Sequence, residues 1–350
     1  MKVWGDLPGD DPERDRKATE AELQAAGIDL HPPTPGERRH EPHGVPGHSH
    51  PHQQSGPGET PVIGIVGAGA VGTALGVALS RAGWPIHAVA SRDATRRERF
   101  RSLVEVSRVF IDPEPLVEEV ELIILAVPDD VVGPLAGTLR MYGGQAMIHT
   151  SGALGAEVLA PAMAAGTQVG SFHPLVAFAD TERAVAALHG ATIAIEADDQ
   201  LAAMLAAMAE AIGATPVRLT LGVKAAYHAA AVLAAGGFVA LLDAIAELGR
   251  VAGLDEAGSL AIYGRLIEET LGNARALGIG AALTGPVTRG DLGTLMANLD
   301  AVRTHAPRTM DLYVAAARLE IALAMDRGAL APELAQAMRT TLDDAVAWGD

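Results

Sequence analysis

Residues 67–72 read Gly-Ala-Gly-Ala-Val-Gly and follow an apolar run at 62–66. Gly67, Gly69 and Gly72 have the G-x-G-x-x-G spacing. The first glycine permits a tight turn, the second lets a pyrophosphate approach the backbone, and the third lets helix and strand pack closely. An apolar helix pattern opens near Ala70, so free N–H groups at its start would face the phosphates. Gly67, Ala68, Gly69, Ala70, Val71 and Gly72 therefore form a candidate dinucleotide cradle. About twenty residues further on, the second apolar run ends in Ser91-Arg92, where an acidic residue would grip the 2′-hydroxyl of NAD. A hydroxyl and a guanidinium suit a 2′-phosphate instead, because the guanidinium donors form a planar fork. That points to NADP(H), with Arg96 and Arg97 able to add to the patch. The alternative is that Arg92 is a solvated loop residue.

A second group of chemical side chains stands at Lys224, Tyr227 and His228, spaced i, i+3 and i+4 on one helix face. An ammonium, a phenol and an imidazole could each supply a proton to an alkoxide. Only three of the 26 basic residues are lysines, and Lys224 alone lies in the expected folded part. A chain that uses arginine elsewhere has reason to keep lysine for its compact charge and movable pKa, so Lys224 ranks first. Packing is the alternative for Tyr227 and His228. Two other runs end in Val127-Pro128 and in Thr150-Ser151, the strand ends where a parallel sheet binds its ligand. Ser151 either caps a helix or donates to substrate or cofactor. His173, before a proline, is either a site residue or a core histidine. No G-x-S-x-G elbow surrounds Ser151, which argues against a hydrolase triad of His149, Ser151 and His173. Arg289, in the turn Thr-Gly-Pro-Val-Thr-Arg-Gly-Asp, could clamp a carboxylate, and Asp291 and Thr294 suit a helix start.

The elements that position these residues follow from periodicity. Runs at 62–66, 85–90, 108–111, 121–127, 145–149, 169–172 and 191–196 read as strands alternating with helices. Near-continuous apolar runs such as ELIILAV fit parallel strands buried on both faces. The expected fold class is α/β, a doubly wound Rossmann-like parallel sheet over 61–198 followed by an all-α domain over 199–350. In the latter, 222–252 reads as one helix of roughly 45 Å. Its uncharged middle, 229–242, is too short and alanine-rich for a membrane span, so burial in a bundle or at a subunit interface is expected. Residues 1–60, rich in Pro, Gly and His, read as a disordered leader, with a short helix pattern over 19–28.

Composition narrows the classes. The formal net charge is −17, which argues against nucleic acid as a partner. There is no cysteine, so disulfides, thiolate nucleophiles and Cys-ligated metals are out. The leader histidines lack the partners that would close a metal site, and no metal is expected. A cytoplasmic, membrane-free protein fits this composition.

The segments GIVGAGAVGTAL, LAVPDD, HTSGALG, GSFHPLVAF, KAAYHAAAVLA and ALTGPVTRGD together resemble bacterial proteins that join a Rossmann-like domain to a DUF2520 domain. These are distant relatives of the 6-phosphogluconate dehydrogenase and pyrroline-5-carboxylate reductase group. The resemblance implies a 6-phosphogluconate dehydrogenase C-terminal-like helical domain and a homodimer through the long helix. It also implies substrate or catalytic roles for Ser151, His173, Lys224, His228, Asn273, Arg289 and Asp291. Some members look like an alternative ketopantoate reductase of pantothenate synthesis, which implies NADPH-dependent reduction of a small 2-oxo acid. An imine reductase, a prephenate-type dehydrogenase or a non-catalytic NADP(H) sensor are the alternatives. Two positions depart from the family pattern: Gly236 replaces an asparagine and Asn298 a histidine.

Overall fold

The computed structural model describes residues 60–106, 108–178 and 181–347. The helix pattern over 19–28 and the histidine-rich tract lie outside the described residues. The fold is α/β, with an eight-stranded sheet in the order β3-β2-β1-β4-β5-β6-β7-β8. Its strands are β1 (Ile63–Val66), β2 (Ile86–Ala90), β3 (Arg108–Phe110), β4 (Leu122–Leu125), β5 (Ala146–His149), β6 (Gln168–Pro174), β7 (Thr192–Ala197) and β8 (Thr215–Arg218). The chain divides into two compact units. One comprises residues up to His149 with Ala156–Gly170 and Ala197–Met204; the other comprises Thr150–Gly155, Ser171–Glu196 and Leu205–Asp350.

In the first unit, β1 pairs parallel with both β2 and β4. Every residue of β1 and β4 is buried, as a strand covered on both faces requires. Ile63 registers on Leu122 and Val66 on Leu125. Both strands thus end level, and the chain order reverses there, which places a crevice at their carboxyl ends. The helix Ala70–Arg81 lies against this sheet through eight buried residues. Two of them are glycines for a reason of space. A Cβ on Gly76 would stand 2.6 Å from the Phe100 ring, and one on Gly72 2.0 Å from the Gly67 carbonyl oxygen.

The second unit is helical after β7 and β8, which pair in parallel. The helices Leu292–His305, Met310–Asp326 and Pro332–Ala347 enclose a core that includes Leu295, Leu299, Val314, Ile321, Met338 and Leu342. The expected long helix is present as Lys224–Val232, a wide π-type turn Leu233–Gly237, and Phe238–Val251. Of the two expected settings, burial in a bundle within one chain is not what the structure shows. Over Lys224–Val251, 28 residues, only 6% of the most apolar stretch is buried. Leu233 is 72% and Val239 64% exposed. By length and composition this helix is also able to cross a membrane, contrary to the expectation that its uncharged run is too short. Composition makes a helix apolar; what covers it is a property of the assembled molecule.

Candidate functional site

The glycine turn is built from β1, β4 and the helix that follows β1. Gly67 has φ 105°, a left-handed conformation that only glycine adopts without strain. Its N–H donates to the Ala90 carbonyl at 2.8 Å, and Ala126 N–H donates to the Val66 carbonyl at 2.8 Å. A Cβ on Gly67 would lie 2.2 Å from the Ala126 oxygen and 3.2 Å from Val127 Cγ1. Gly67, Gly72 and Val127 are thus in one place, with Pro128 next in chain as the N-cap of the helix Asp129–Thr138. Gly69 differs from its neighbours: a Cβ there would meet nothing within 4 Å. It is the N-cap of the helix Ala70–Arg81 and offers no side chain to the first-turn N–H groups. No side chain caps those donors at this positive helix end, as an anion site needs.

Beyond β2, the three candidate guanidiniums are not equivalent. Arg97 Nη1 donates to the Ser91 carbonyl, and Arg96 pairs with Asp93 at 3.4 Å. Asp93 also caps the helix Ala94–Leu103 by accepting from Arg96 N–H at 3.0 Å. Arg92 is exposed. The local network leaves it as the guanidinium available to a ligand.

In the second unit, the turn Thr150–Gly155 meets β6 and the start of the helix Lys224–Val232. Lys224 is 2% exposed, and its Nζ donates to the Ser151 carbonyl at 2.5 Å. The Ser151 hydroxyl accepts from Ala153 N–H at 3.2 Å and Leu154 N–H at 3.0 Å. Ser151 thus caps a turn rather than a helix, and its O–H proton is left for a further acceptor. His173 stands edge-on to Tyr227, with ring centroids 5.8 Å apart, and edge-on to His228 at 5.7 Å. A Cβ on Gly152 would lie 2.2 Å from His228 Nδ1 and 2.7 Å from His173 Nε2. Tyr227 Oη and His228 Nδ1 are buried without a hydrogen-bond partner among the described residues. Burial raises the Tyr227 hydroxyl above its ordinary value, so it stays a donor at neutral pH. Ser151, His173, Lys224, Tyr227 and His228 are thereby brought together. Their chemistry is that of a proton-donating pocket: two imidazoles and a phenol beside a buried ammonium.

Three other expected site residues do not join this cluster through any hydrogen bond, ion pair or ring contact among the described residues. Asn273 is exposed on the helix Glu256–Leu277, and Arg289 is exposed in the turn Val287–Arg289. Asp291 caps the helix Leu292–His305, accepting from Thr294 N–H at 3.0 Å and Oγ1 at 2.7 Å. Those bonds, with Arg289 nearby, hold its carboxyl below the usual range. Asn298 hydrogen-bonds Tyr313, although burial, the larger effect, raises that hydroxyl. Gly152 is the residue that sequence reasoning passed over. Its one signal is a glycine directly after a strand-end serine, in His-Thr-Ser-Gly-Ala-Leu-Gly.

Comparison with known proteins agrees with this architecture. A Rossmann-like domain model matches residues 51–174, and the model of DUF2520, a domain of unknown function, matches residues 191–319. No curated protein matches the sequence. Among solved structures, protein TM1727 from Thermotoga maritima is 24% identical with TM-score 0.59, covering 76% of this chain and 99% of its own. An imine reductase from Pseudomonas sp. is 17% identical with TM-score 0.60, covering 82% of this chain and 100% of its own. A reductive aminase from Aspergillus terreus, solved with NADPH and ethyl-5-oxohexanoate, is 15% identical with TM-score 0.53, covering 83% and 95%. Likeness at these identities establishes the fold.

Proposed function

From a chain that belongs to the proteins joining a Rossmann-like domain to a DUF2520 domain, we propose an NADP(H)-dependent oxidoreductase that reduces a small 2-oxo acid, ketopantoate first among them. The observation that carries the cofactor reading is Gly69, whose open Cβ position and uncapped helix start leave room and unmet donors for a pyrophosphate. The residues fit the group. The backbone from Gly67 to Gly72 would hold the pyrophosphate, and Ser91 and Arg92 the 2′-phosphate. Val127, Pro128 and Thr150 would line the remainder. When bound, the cofactor supplies a hydride to the carbonyl carbon.

The chain's own residues supply the proton and the orientation. Tyr227 stands as the proton donor for the alkoxide oxygen and His228 as a hydrogen-bond donor to it, with His173 packed edge-on to both. Lys224, expected to be the acid, has its ammonium turned to the Ser151 carbonyl; it contributes positive charge and holds the turn. A carboxylate on the substrate would complement that charge, with Arg289 as a further candidate clamp. The test is NADPH oxidation against a panel of oxo acids that includes ketopantoate, with pyrroline-5-carboxylate and prephenate beside them. Turnover of ketopantoate supports the reading. Turnover of pyrroline-5-carboxylate alone makes the chain an imine reductase, as its fold neighbours would suggest. Tight NADPH binding without turnover makes it a sensor, and no binding ends the proposal.

Self-association belongs to the same reading. The exposed helix Lys224–Val251 is about 42 Å long and 10 Å wide, so it offers on the order of 400 Å². Leu260, Ile262, Leu266 and Leu271 on the next helix are exposed too. Together the two faces approach the about 800 Å² per partner of a stable interface. A face without charge from Ala225 to Leu242 suits a second copy of itself.

A further inference from the structure

The pocket holds two imidazoles against a glycine whose backbone has no conformational need to be glycine. Gly152 is not in the left-handed region, so alanine could adopt its backbone. What excludes a side chain is space: the Cβ would fall 2.2 Å from His228 Nδ1, 2.6 Å from His228 Cε1 and 2.7 Å from His173 Nε2. Real Cβ atoms do not approach so closely, so a side chain at this position would require the two rings, in edge-on contact at 5.7 Å, to shift.

We infer that Gly152 and Lys224 are positioning residues that fix His228 as a neutral imidazole carrying its proton on Nε2. His228 Nδ1 is buried, faces Gly152 and has no hydrogen-bond partner among the described residues. A proton there would be a donor without an acceptor, which costs the full desolvation of the group. A lone pair there can at least accept the weak approach of a glycine Cα–H. The proton therefore resides on Nε2, and the ring presents a donor on its opposite side.

Lys224 sets the distance that makes this work. It lies one helical turn before His228, at i and i+4. Its ammonium is tied to the carbonyl of Ser151, the residue directly before Gly152. The Ser151 hydroxyl then fixes the far side of the turn through Ala153 and Leu154. One ionic hydrogen bond thus clamps the His228 helix to the glycine that reads its tautomer. The catalytic consequence rests on the reductase reading above, but the tautomer does not and can be measured without ligand.

Long-range 1H–15N correlation of the histidine rings in the full chain near neutral pH provides the test. His228→Gln and His173→Gln assign the signals among the 12 histidines. The wild type should show His228 in the Nε2–H form. Gly152→Ala should shift both His173 and His228 and mix the tautomers, and Lys224→Met should do the same for His228. If a substrate is found, kcat should fall at least tenfold in both variants, with KM for NADPH changing less than about threefold. A wild-type His228 that is charged or protonated on Nδ1 overturns the inference. So does a folded Gly152→Ala whose two rings are unchanged. Should Gly152→Ala fail to fold, the wild-type spectrum and Lys224→Met still decide.

Discussion

An ammonium denied water must be paid for by its partners, and Lys224 shows the terms. At 2% exposure it survives because a carbonyl receives it, and a buried ion without such a bond is strongly destabilising. Lys224→Ala is expected to cut kcat by about 100-fold or more while NADPH affinity stays within about threefold, read by steady-state kinetics beside calorimetry. A normal kcat would remove the lysine from the site altogether. Arg92 makes the complementary case. Arg96 and Arg97 are committed to Asp93 and Ser91, so Arg92→Ala should weaken NADPH by about tenfold and leave NADH unchanged. Equal loss for both cofactors would argue against a 2′-phosphate contact. Lys224 was legible from the sequence because a lone lysine among arginines stands out. Gly152 was not, since a glycine records what is absent from a position, and only coordinates show which atoms fill the space.

At the scale of elements, the glycine turn offers a sharp contrast between two similar substitutions. In Gly72→Ala the new methyl would stand 2.0 Å from a backbone oxygen, so the fold itself should suffer. In Gly69→Ala it would stand in open space. That variant should melt within about 2 °C of the wild type yet bind NADPH at least tenfold more weakly, because only a bound pyrophosphate would collide with the methyl. Unchanged binding would place the phosphates elsewhere. The helix Met310–Asp326 carries a second test. Burial raises the carboxyl of Glu320 above its ordinary range, so the folded chain holds that proton more tightly than the unfolded one. The resulting stability is full in acid and lost as pH rises through the folded value. Glu320→Gln should therefore melt slightly higher than the parent at neutral pH, with the gain vanishing in acid. The strands were readable because parallel strands buried on both faces leave continuous apolar runs. The Asp291 helix start was readable from Asp and Thr at capping distance, which is what the structure shows. Whether Asp291 also serves a site was not readable, since a cap and a ligand use the same oxygens.

For the molecule as a whole, the face left open by one chain is the feature with most at stake. Periodicity made the helix Lys224–Val251 legible, but its exposure depends on neighbours that sequence spacing does not encode. Sedimentation of the full chain should give twice the 36.0 kDa of one copy. The double variant Leu233→Glu, Val239→Glu should sediment as a single copy, and a wild type that does so already, or that partitions with membranes, would refute the pairing. The wide turn Leu233–Gly237 adds a mechanical corollary. Such a turn holds one residue more than ordinary helix needs. Five residues of the wide turn sweep about the angle that four residues of ordinary helix do, so the surplus residue is absorbed where it stands. Deleting Gly236 would let the turn close while Val239 and Leu241 kept their bearing relative to Lys224 and His228; a deletion within Phe238–Val251 would instead swing all that follows by about 100°. The bulge is slack in a rod, a place where the chain can gain or lose a residue without turning the mating surface away from the reactive end.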